Sequence, residues 1–151
     1  MDERAMDETT ATTSWIAVLD RRKGRLFEAR RLPTGRLHLE EHGSLSEAWD
    51  EKQHHRPYML SAHGRTLASF RHEEEERVRR FGKQAAEWLD EQVRRQDLAR
   101  ITVFCSPALV GRLRKALPPR LLQRIDLRHE DLAWLTPGQL AGHPAIAEAL
   151  G

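Results

Sequence analysis

Hydrophobic and polar positions between Phe70 and Val93 repeat with the period of an α-helix. Apolar residues recur mostly at steps of three and four, which places them on one face. They are Phe70, Val78, Phe81, Ala85, Trp88, Leu89 and Val93. Charged residues fill most of the positions between them. The pattern predicts one long amphipathic helix.

Charged residues on this predicted helix suggest how its exposed face is stabilised. The run from Glu73 to Glu76 comes near the predicted helix start, where the positive end of the helix dipole favours carboxylates. Acidic residues precede basic ones by four positions, the favourable order for ion pairs on a helix. The three expected pairs are Glu73 with Arg77, Glu75 with Arg79, and Glu76 with Arg80.

Short apolar runs before this helix predict three strands, separated by turns that contain glycine or proline. The second turn is Pro33–Gly35, and the first is Asp20–Gly24, in which Gly24 can adopt a positive φ. The third strand has outward charges, with Leu37 and Leu39 on one face, and is expected at a sheet edge. The predicted strands are Trp15–Leu19, Arg25–Leu32 and Arg36–His42.

Two stretches flank the helix with different character. Gly43–Thr66 shows no sustained periodicity, and so long a loop in a compact domain is usually functional or mobile. After the helix, Ile101–Cys105 is the candidate central strand. Ser106 and Pro107 are typical of a helix start, and that helix is expected to end near Leu117.

The last third of the chain predicts a final strand at Ile125–Leu127 and a C-terminal helical segment. Thr136 and Gln139 have the spacing of a capping box, and Pro144 interrupts the segment that follows. The element order β-β-β-loop-α-β-α-β-α predicts an α/β fold. We expect a single domain with one mixed β-sheet of about five strands flanked by helices.

Length and composition fit this expectation. The 151 residues suit one domain, with residues 1–14 as an acidic, threonine-rich disordered leader and residues 15–151 as the folded part. The longest apolar run, Trp15–Leu19, is too short to insert into a membrane. We find no secretory signal pattern, and a single cysteine, Cys105, excludes an internal disulfide. A cytoplasmic location is expected.

Charge alone leaves two interpretations open. The 25 basic residues against 23 acidic ones give a net charge of only +2, and all but four of the basic residues are arginine. Arginine suits planar recognition of phosphate or carboxylate, but a genomic composition bias explains the same excess. Nucleic-acid binders usually show a larger clustered positive charge.

Candidate chemistry is sparse. Cys105 lies at a strand end just before a helix, where a thiol pKa can be lowered, but a small buried core residue is the favoured interpretation. Asp126, Glu130 and Asp131 could pair or could be ordinary solvated carboxylates. No phosphate-binding glycine loop and no nucleophile elbow is present.

The loop between the third strand and the long helix is the candidate binding site. Its histidines do not have the spacing of a metal site, so solvated loop histidines are favoured, and neither a metal nor a cofactor is predicted. No catalytic residue is predicted. The candidate binding residues are polar, and a core does not need them. They are His54, His55, Arg56, His63, Gly64, Arg65 and Arg71.

Four stretches together resemble the bacterial host-attachment protein family, over about Trp15–His143. They are an N-terminal strand with a basic turn, a basic loop that enters a long helix, a strand with a Ser-Pro helix start, and a late Leu-Thr segment. In this chain they read WIAVLDRRKGRLFEARR, HGRTLASFRHEEEERVRRFGKQAAEWLDEQVRR, ITVFCSPALVGRLRKALP and DLAWLTPGQLAGH.

That family is similar in turn to the middle domain of archaeal and eukaryotic peptide-chain release factors, in which a Gly-Gly-Gln loop promotes peptidyl-tRNA hydrolysis. Here Ala62-His63-Gly64-Arg65 occupies the loop, and Gly64 matches one glycine. The glutamine and the second glycine are missing. The resemblance therefore implies a release-factor-like fold and a ribosome or tRNA partner, without the hydrolytic activity.

Three hypotheses for function follow. The first is a non-catalytic module that binds RNA or the ribosome through the basic loop, where contacts to phosphates would fix position. The second is a protein required indirectly for attachment to host cells. The third is a degenerate hydrolase that uses the loop from His54 to His63, or Cys105.

Overall fold

The computed structural model of the chain describes residues 13–46 and 67–150. Within helix α1, defined below, side chains are described from Phe70 onward. The predicted leader lies outside these ranges up to residue 12, and the predicted loop lies outside them from residue 47 to residue 66.

Five strands form one mixed sheet in the order β3-β2-β1-β4-β5. β1, β2 and β3 pair antiparallel, whereas β4 pairs parallel with β1, and β5 parallel with β4. β3 lies at an edge, as the sequence predicts, but β1 and not β4 is the central strand. The strands are β1 (Ser14–Leu19), β2 (Lys23–Arg31), β3 (Leu37–Ser46), β4 (Ile101–Cys105) and β5 (Ile125–Arg128).

Helices cover both faces of this sheet, which confirms the predicted α/β class. The long helix α1 and helix α2 pack on one face, and the segment from residue 132 to residue 150 packs on the other. The helices are α1 (Leu67–Arg95), α2 (Pro107–Ala116), α3 (Pro119–Leu122), α4 (Pro137–Ala141) and α5 (Pro144–Leu150).

The two-sided cover explains the unbroken apolar run in β1. Successive strand side chains point to opposite faces. Ala17 and Leu19 therefore lie in the core beneath α1, whereas Ile16 and Val18 lie in the core beneath α4 and α5. All four are fully buried. A strand covered on only one face would need a polar residue at every second position.

The first turn is shorter than predicted, because Gly24 belongs to β2 and pairs with Leu19. Gly24 does not adopt a positive φ; Gly35, in the second turn, does, with φ of 90°. A methyl group at Gly24 would collide with the side chain of Leu19, and Trp88 lies next to it. Glycine is therefore required here for close packing and not for backbone conformation.

β3 continues beyond the predicted end at His42 to Ser46. The register between β2 and β3 shifts between Leu26 and Phe27, so that Gly43 and not His42 lies opposite Leu26. An extra residue of this kind forms a β-bulge, which interrupts the alternation that sequence reading depends on.

Helix α1 begins well before the acidic run Glu73–Glu76, so this run is not at the helix start as the sequence predicts. No acidic residue lies in its first turn, which begins at Leu67. The helix dipole acts within the first turn, so it does not explain the run Glu73–Glu76. Phe70 is 41% exposed and does not belong to the buried face, whereas Gln92 is buried against expectation. The buried face begins at Val78, because the first turns of α1 precede the part that packs on the sheet.

Ion pairs on α1 agree in part with the predicted set. Arg80 lies 3.9 Å from Glu76, at the predicted spacing of four. Arg79, however, pairs with Glu76 and not with Glu75. The hydrogen bond from Arg79 holds the pKa of Glu76 below its ordinary value, and the same contact raises the pKa of Arg79.

The predicted capping box at the start of α4 is confirmed. The Gln139 amide donates to the Thr136 hydroxyl at 3.1 Å, and the Thr136 amide donates to the Gln139 side chain at 2.9 Å. Two amides that the helix itself cannot pair are thereby satisfied.

We expect Thr136→Ala to lower the free energy of unfolding by about 1 kcal/mol, because it removes a working N-cap. Ser106 provides a matched control, since it is the N-cap of α2 but its buried hydroxyl has no hydrogen-bond partner among the described residues. Ser106→Ala should therefore change stability little, or raise it by up to about 1 kcal/mol. Urea unfolding followed by circular dichroism measures both. Equal losses at the two positions would contradict the assignment.

Candidate functional site

Most of the predicted binding residues cannot be located in the structure. His54, His55, Arg56, His63, Gly64 and Arg65 lie outside the described residues. Arg71 is described and is exposed near the start of α1. The binding role of the loop therefore stays a prediction, and the structure locates only the residues that flank the loop.

Described residues near both flanks of the loop meet the turn between β1 and β2. Ser46, the last residue of β3, pairs with Lys23 in the ladder. On α1, Glu74 accepts a hydrogen bond of 3.2 Å from Arg21. This turn follows the carboxyl end of β1, and ligands of open α/β sheets commonly bind outside the carboxyl ends of strands.

The turn itself is basic. Arg21, Arg22 and Lys23 are consecutive and exposed. The carboxylate of Asp20 accepts hydrogen bonds from the backbone amides of Arg22 and Lys23 at 2.7 and 2.8 Å. Asp20 therefore stabilises the turn, and its position does not indicate a catalytic role.

A second basic surface lies on the segment that includes α2 and α3. No aspartate or glutamate occurs between Asp97 and Asp126, although six basic residues do. This carboxylate-free stretch gives the surface a local positive charge that the net charge of +2 conceals. The six are Arg100, Arg112, Arg114, Lys115, Arg120 and Arg124.

Three of these residues lie on α2, and we call them together the α2 basic face: Arg112, Arg114 and Lys115. Arg112 and Arg114 are two positions apart and project to different sides of the helix. Arg114 and Lys115 are exposed and Arg112 is half-buried. Among the residues that the structure describes, no carboxylate pairs with any of them. Arg120, by contrast, lies 3.6 Å from Asp90 of α1.

Three exposed arginines of α1 are paired with carboxylates of the same helix. Arg94 lies 3.6 Å from Asp90, Arg95 lies 2.6 Å from Glu91, and Arg79 pairs with Glu76. Basic charge alone therefore does not distinguish α1 from α2. The difference is that the α2 basic face has no carboxylate partner among the residues in the described ranges.

Cys105 is a core residue. It is fully buried in the cluster beneath α1 and α2, and burial raises its pKa to about 12. The nearby charge of Arg114 lowers the pKa by less than burial raises it. The favoured interpretation of a buried thiol is thus confirmed, and a thiolate nucleophile at this position is not supported.

In the folded protein, we expect Cys105 to resist a thiol reagent such as Ellman's reagent at pH 8 and to react fully after unfolding in guanidinium. The unfolded thiol has an ordinary pKa of 9.0 and the folded one about 12, so its contribution to stability is complete below pH 9 and declines as pH rises towards 12. Rapid labelling of the folded protein would contradict this burial.

A cleft of about 530 Å³ opens at the amino ends of β1 and β4. Its lining includes Trp15, Asp97, Arg100 and Asp126. Asp97 lies just after the end of α1 and has a φ of 53°, a left-handed conformation that glycine adopts more readily. Sequence reading missed this cleft, although an aspartate at a helix end was a possible signal.

The sequence allows Asp126 to pair with Glu130 or Asp131, but in the structure Asp126 contacts a different residue. Its side chain accepts a hydrogen bond of 2.9 Å from Arg128. Glu130 and Asp131 are exposed. The structure therefore shows an acid–base contact at Asp126 and gives no support to a catalytic carboxylate pair.

Glu28, Glu40 and His42 form a group of possible metal ligands on β2 and β3. One ligand atom from each lies within 4.8 Å of the others. His42 Nε2 and Glu28 Oε1 are 3.0 Å apart, and Arg30 donates to Glu40 at 2.9 Å. Sequence reading missed the group, because only the spacing of Glu40 and His42 on one strand hinted at it.

The helices in the described ranges include none that combines the length and the apolar character needed to span a bilayer.

Comparisons with known proteins place the chain in a family. A comparison with curated protein sequences finds no match. A solved structure, from a structural study of the Aquifex aeolicus PPX-GPPA enzyme, is similar with a TM-score of 0.34 and 14% sequence identity. The likeness covers 78% of this chain and 36% of that one, so the chain spans little more than a third of that enzyme. A TM-score this low supports no statement about fold or chemistry.

The family comparison is more extensive. A family model described as "Protein required for attachment to host cells" matches residues 15–143. These limits agree with the coverage expected from the resemblance in the sequence. Because the match covers most of its length, the chain belongs to the family of proteins required for attachment to host cells.

Proposed function

We propose that the chain is a non-catalytic module that binds RNA, with tRNA or the ribosome as its partner. The observation that carries this proposal is the α2 basic face. Three cations close together in the sequence of α2, for which the described part of the chain offers no carboxylate partner, favour a polyanionic ligand.

Phosphate contacts are the chemistry that such a surface offers. Arg112 and Arg114 carry planar guanidinium groups, which can bind phosphate oxygens through two hydrogen bonds, and Lys115 adds a point charge. Contacts of this kind position a nucleic acid and do not read its sequence. The proposal is therefore a shape- or backbone-directed contact.

The predicted loop from His54 to Arg65, with Arg71, can contribute to the same interface. α1 passes close to α2 at Gly82, beside Arg112. Arg71 lies eleven residues before Gly82, which corresponds to about 16 Å along a helix. One RNA molecule can span this distance, so the two basic elements need not bind separate partners.

The absence of catalysis is part of the proposal. The loop lacks the glutamine of the release-factor motif. Cys105 is buried with a raised pKa, which disfavours a nucleophilic role. Because ribosomes and tRNA are in the cytoplasm, the proposal also implies a cytoplasmic location, which is the location that the sequence predicts.

Attachment to host cells is the second candidate, because the family description names it. If the chain binds RNA as proposed, its role in attachment to host cells is an indirect consequence of that binding. Surface fractionation of the source cells tests the point: we expect the chain in the fraction that holds ribosomes. Its presence in an outer-surface fraction free of lysis markers would favour direct attachment instead.

Co-sedimentation with purified ribosomes and fluorescence anisotropy with labelled tRNA test the proposal, both at low salt. We expect binding in at least one assay and its loss at high salt, because counterions released from phosphates drive association. If the chain binds only in the co-sedimentation assay, its partner is the ribosome. If it binds labelled tRNA in the anisotropy assay, its partner is tRNA. Failure in both at low salt would overturn the proposal.

A further inference from the structure

The group formed by Glu28, Glu40 and His42 lies away from the basic surfaces. Glu28 pairs with Trp15 near the start of β1, whereas the basic turn follows the end of that strand. Five residues of extended strand separate Trp15 from Asp20, which is about 17 Å. β2 and β3 also lie on the opposite side of β1 from β4, the strand that leads into α2, so the group is separate from the proposed RNA contact.

Two of its members are like charges placed side by side. Glu28 and Glu40 are direct partners in the antiparallel ladder. Carboxylates in such positions repel each other and destabilise the sheet unless a cation lies between or beside them. Arg30 contacts only Glu40 of the pair, at 2.9 Å.

The third member of the group lies at the β-bulge. His42 is the extra residue where the β2–β3 register shifts. Its ring lies 4.9 Å from the ring of Trp15, and its Nε2 lies 3.0 Å from Glu28. The imidazole is thus held from two sides, and bulges are often found where a side chain is redirected towards a site.

We propose that Glu28, Glu40 and His42 bind one divalent transition-metal ion, of the class to which Zn²⁺ belongs. Zn²⁺ binds imidazole nitrogen and carboxylate oxygen at about 2.0–2.2 Å. Ligand atoms within 4.8 Å of one another need only small side-chain movements to reach such distances around one ion. The mixed nitrogen and oxygen donors favour Zn²⁺ over Mg²⁺, which prefers oxygen alone.

Arg30 competes with the ion for Glu40. Its side chain is 43% exposed and that of Glu40 is 49% exposed, so the guanidinium can leave without disturbing the core. The exposed side of the group is open to water, which can complete the coordination of the ion as in zinc sites with three protein ligands.

Isothermal titration of the full chain with ZnCl₂ tests the site. We expect one ion per chain, and binding weakened at least about tenfold by His42→Ala or by Glu28→Gln. Arg30→Gln should tighten binding about two- to fivefold, because it removes a competing surface ion pair. His38→Ala is the control, since His38 is an exposed histidine on the same strand outside the group.

Two results would overturn the proposal. One is an affinity for Zn²⁺ that neither His42→Ala nor Glu28→Gln alters, with both variants folded by circular dichroism. The other is binding that is lost on replacing His54 and His55, which would assign the ion to the loop. If His42→Ala fails to fold, the other two variants still test the site, because we expect Glu28→Gln to weaken Zn²⁺ binding and Arg30→Gln to tighten it.

Discussion

Gly82→Ala is expected to lower the free energy of unfolding by about 1 kcal/mol, while the same substitution at Gly111 raises it by up to about 1 kcal/mol. Both glycines lie within helices, Gly82 in α1 and Gly111 in α2. The two changes in stability have opposite signs because the added methyl group has different neighbouring atoms at the two positions.

At Gly82 the new methyl carbon would lie 2.7 Å from Cβ of Arg112. That atom is fixed to the backbone and cannot rotate away, so the two helices must separate. Overpacking of this kind costs about 1–3 kcal/mol, more than the helix propensity of alanine returns. At Gly111 nothing lies within 4 Å of the added methyl group, so only the gain in helix propensity remains.

Urea unfolding at equilibrium, followed by circular dichroism, measures both changes under the same conditions. A Gly82→Ala protein as stable as Gly111→Ala would contradict the close approach of α1 and α2. That approach also matters for function, because it places α1 beside Arg112 of the proposed RNA contact.

The second large effect concerns binding. We expect the triple variant Arg112→Gln, Arg114→Gln and Lys115→Gln to bind labelled RNA about ten- to a hundredfold more weakly than the unmodified chain. Three exposed phosphate contacts at about 0.5–1 kcal/mol each give a loss of this size. Glutamine keeps most of the side-chain length and removes only the charge.

A matched control carries the same change in net charge. Arg79→Gln, Arg94→Gln and Arg95→Gln remove three arginines that pair with carboxylates on α1. If net charge alone governed association, both triples would bind RNA equally. We expect the control to stay within about threefold of the unmodified chain, since its arginines are already neutralised.

Local signals in the sequence were enough for much of the fold. The capping box at Thr136 and the start of α2 at Pro107 depend on residues close to one another in the chain, and both are confirmed. Phe70 was assigned to the buried face because its spacing fits the helix period. Spacing does not show where the sheet beneath a helix ends, so its exposure could not be predicted.

Candidate sites were less predictable, because they depend on pairing between distant elements. His42 and Glu40 share a face of β3 by simple alternation, but Glu28 joins them only through the pairing of β2 with β3. The arginines of α2 were visible in the sequence, and so was their lack of acidic neighbours. Arg120 lies beside Asp90, whereas Arg112 has no carboxylate beside it in the part of the chain that the structure describes. This difference follows from helix packing, which spacing along the chain does not determine.

The dependence of RNA affinity on salt tests the central claim most directly. The logarithm of the association constant falls linearly with the logarithm of salt concentration, by about 0.7 per phosphate contact for single strands. Loss of three contacts on the α2 basic face should therefore reduce the steepness of this slope by about two. The control triple on α1 should leave the slope unchanged. Equal slopes for the unmodified chain and the α2 triple would contradict RNA binding at this face.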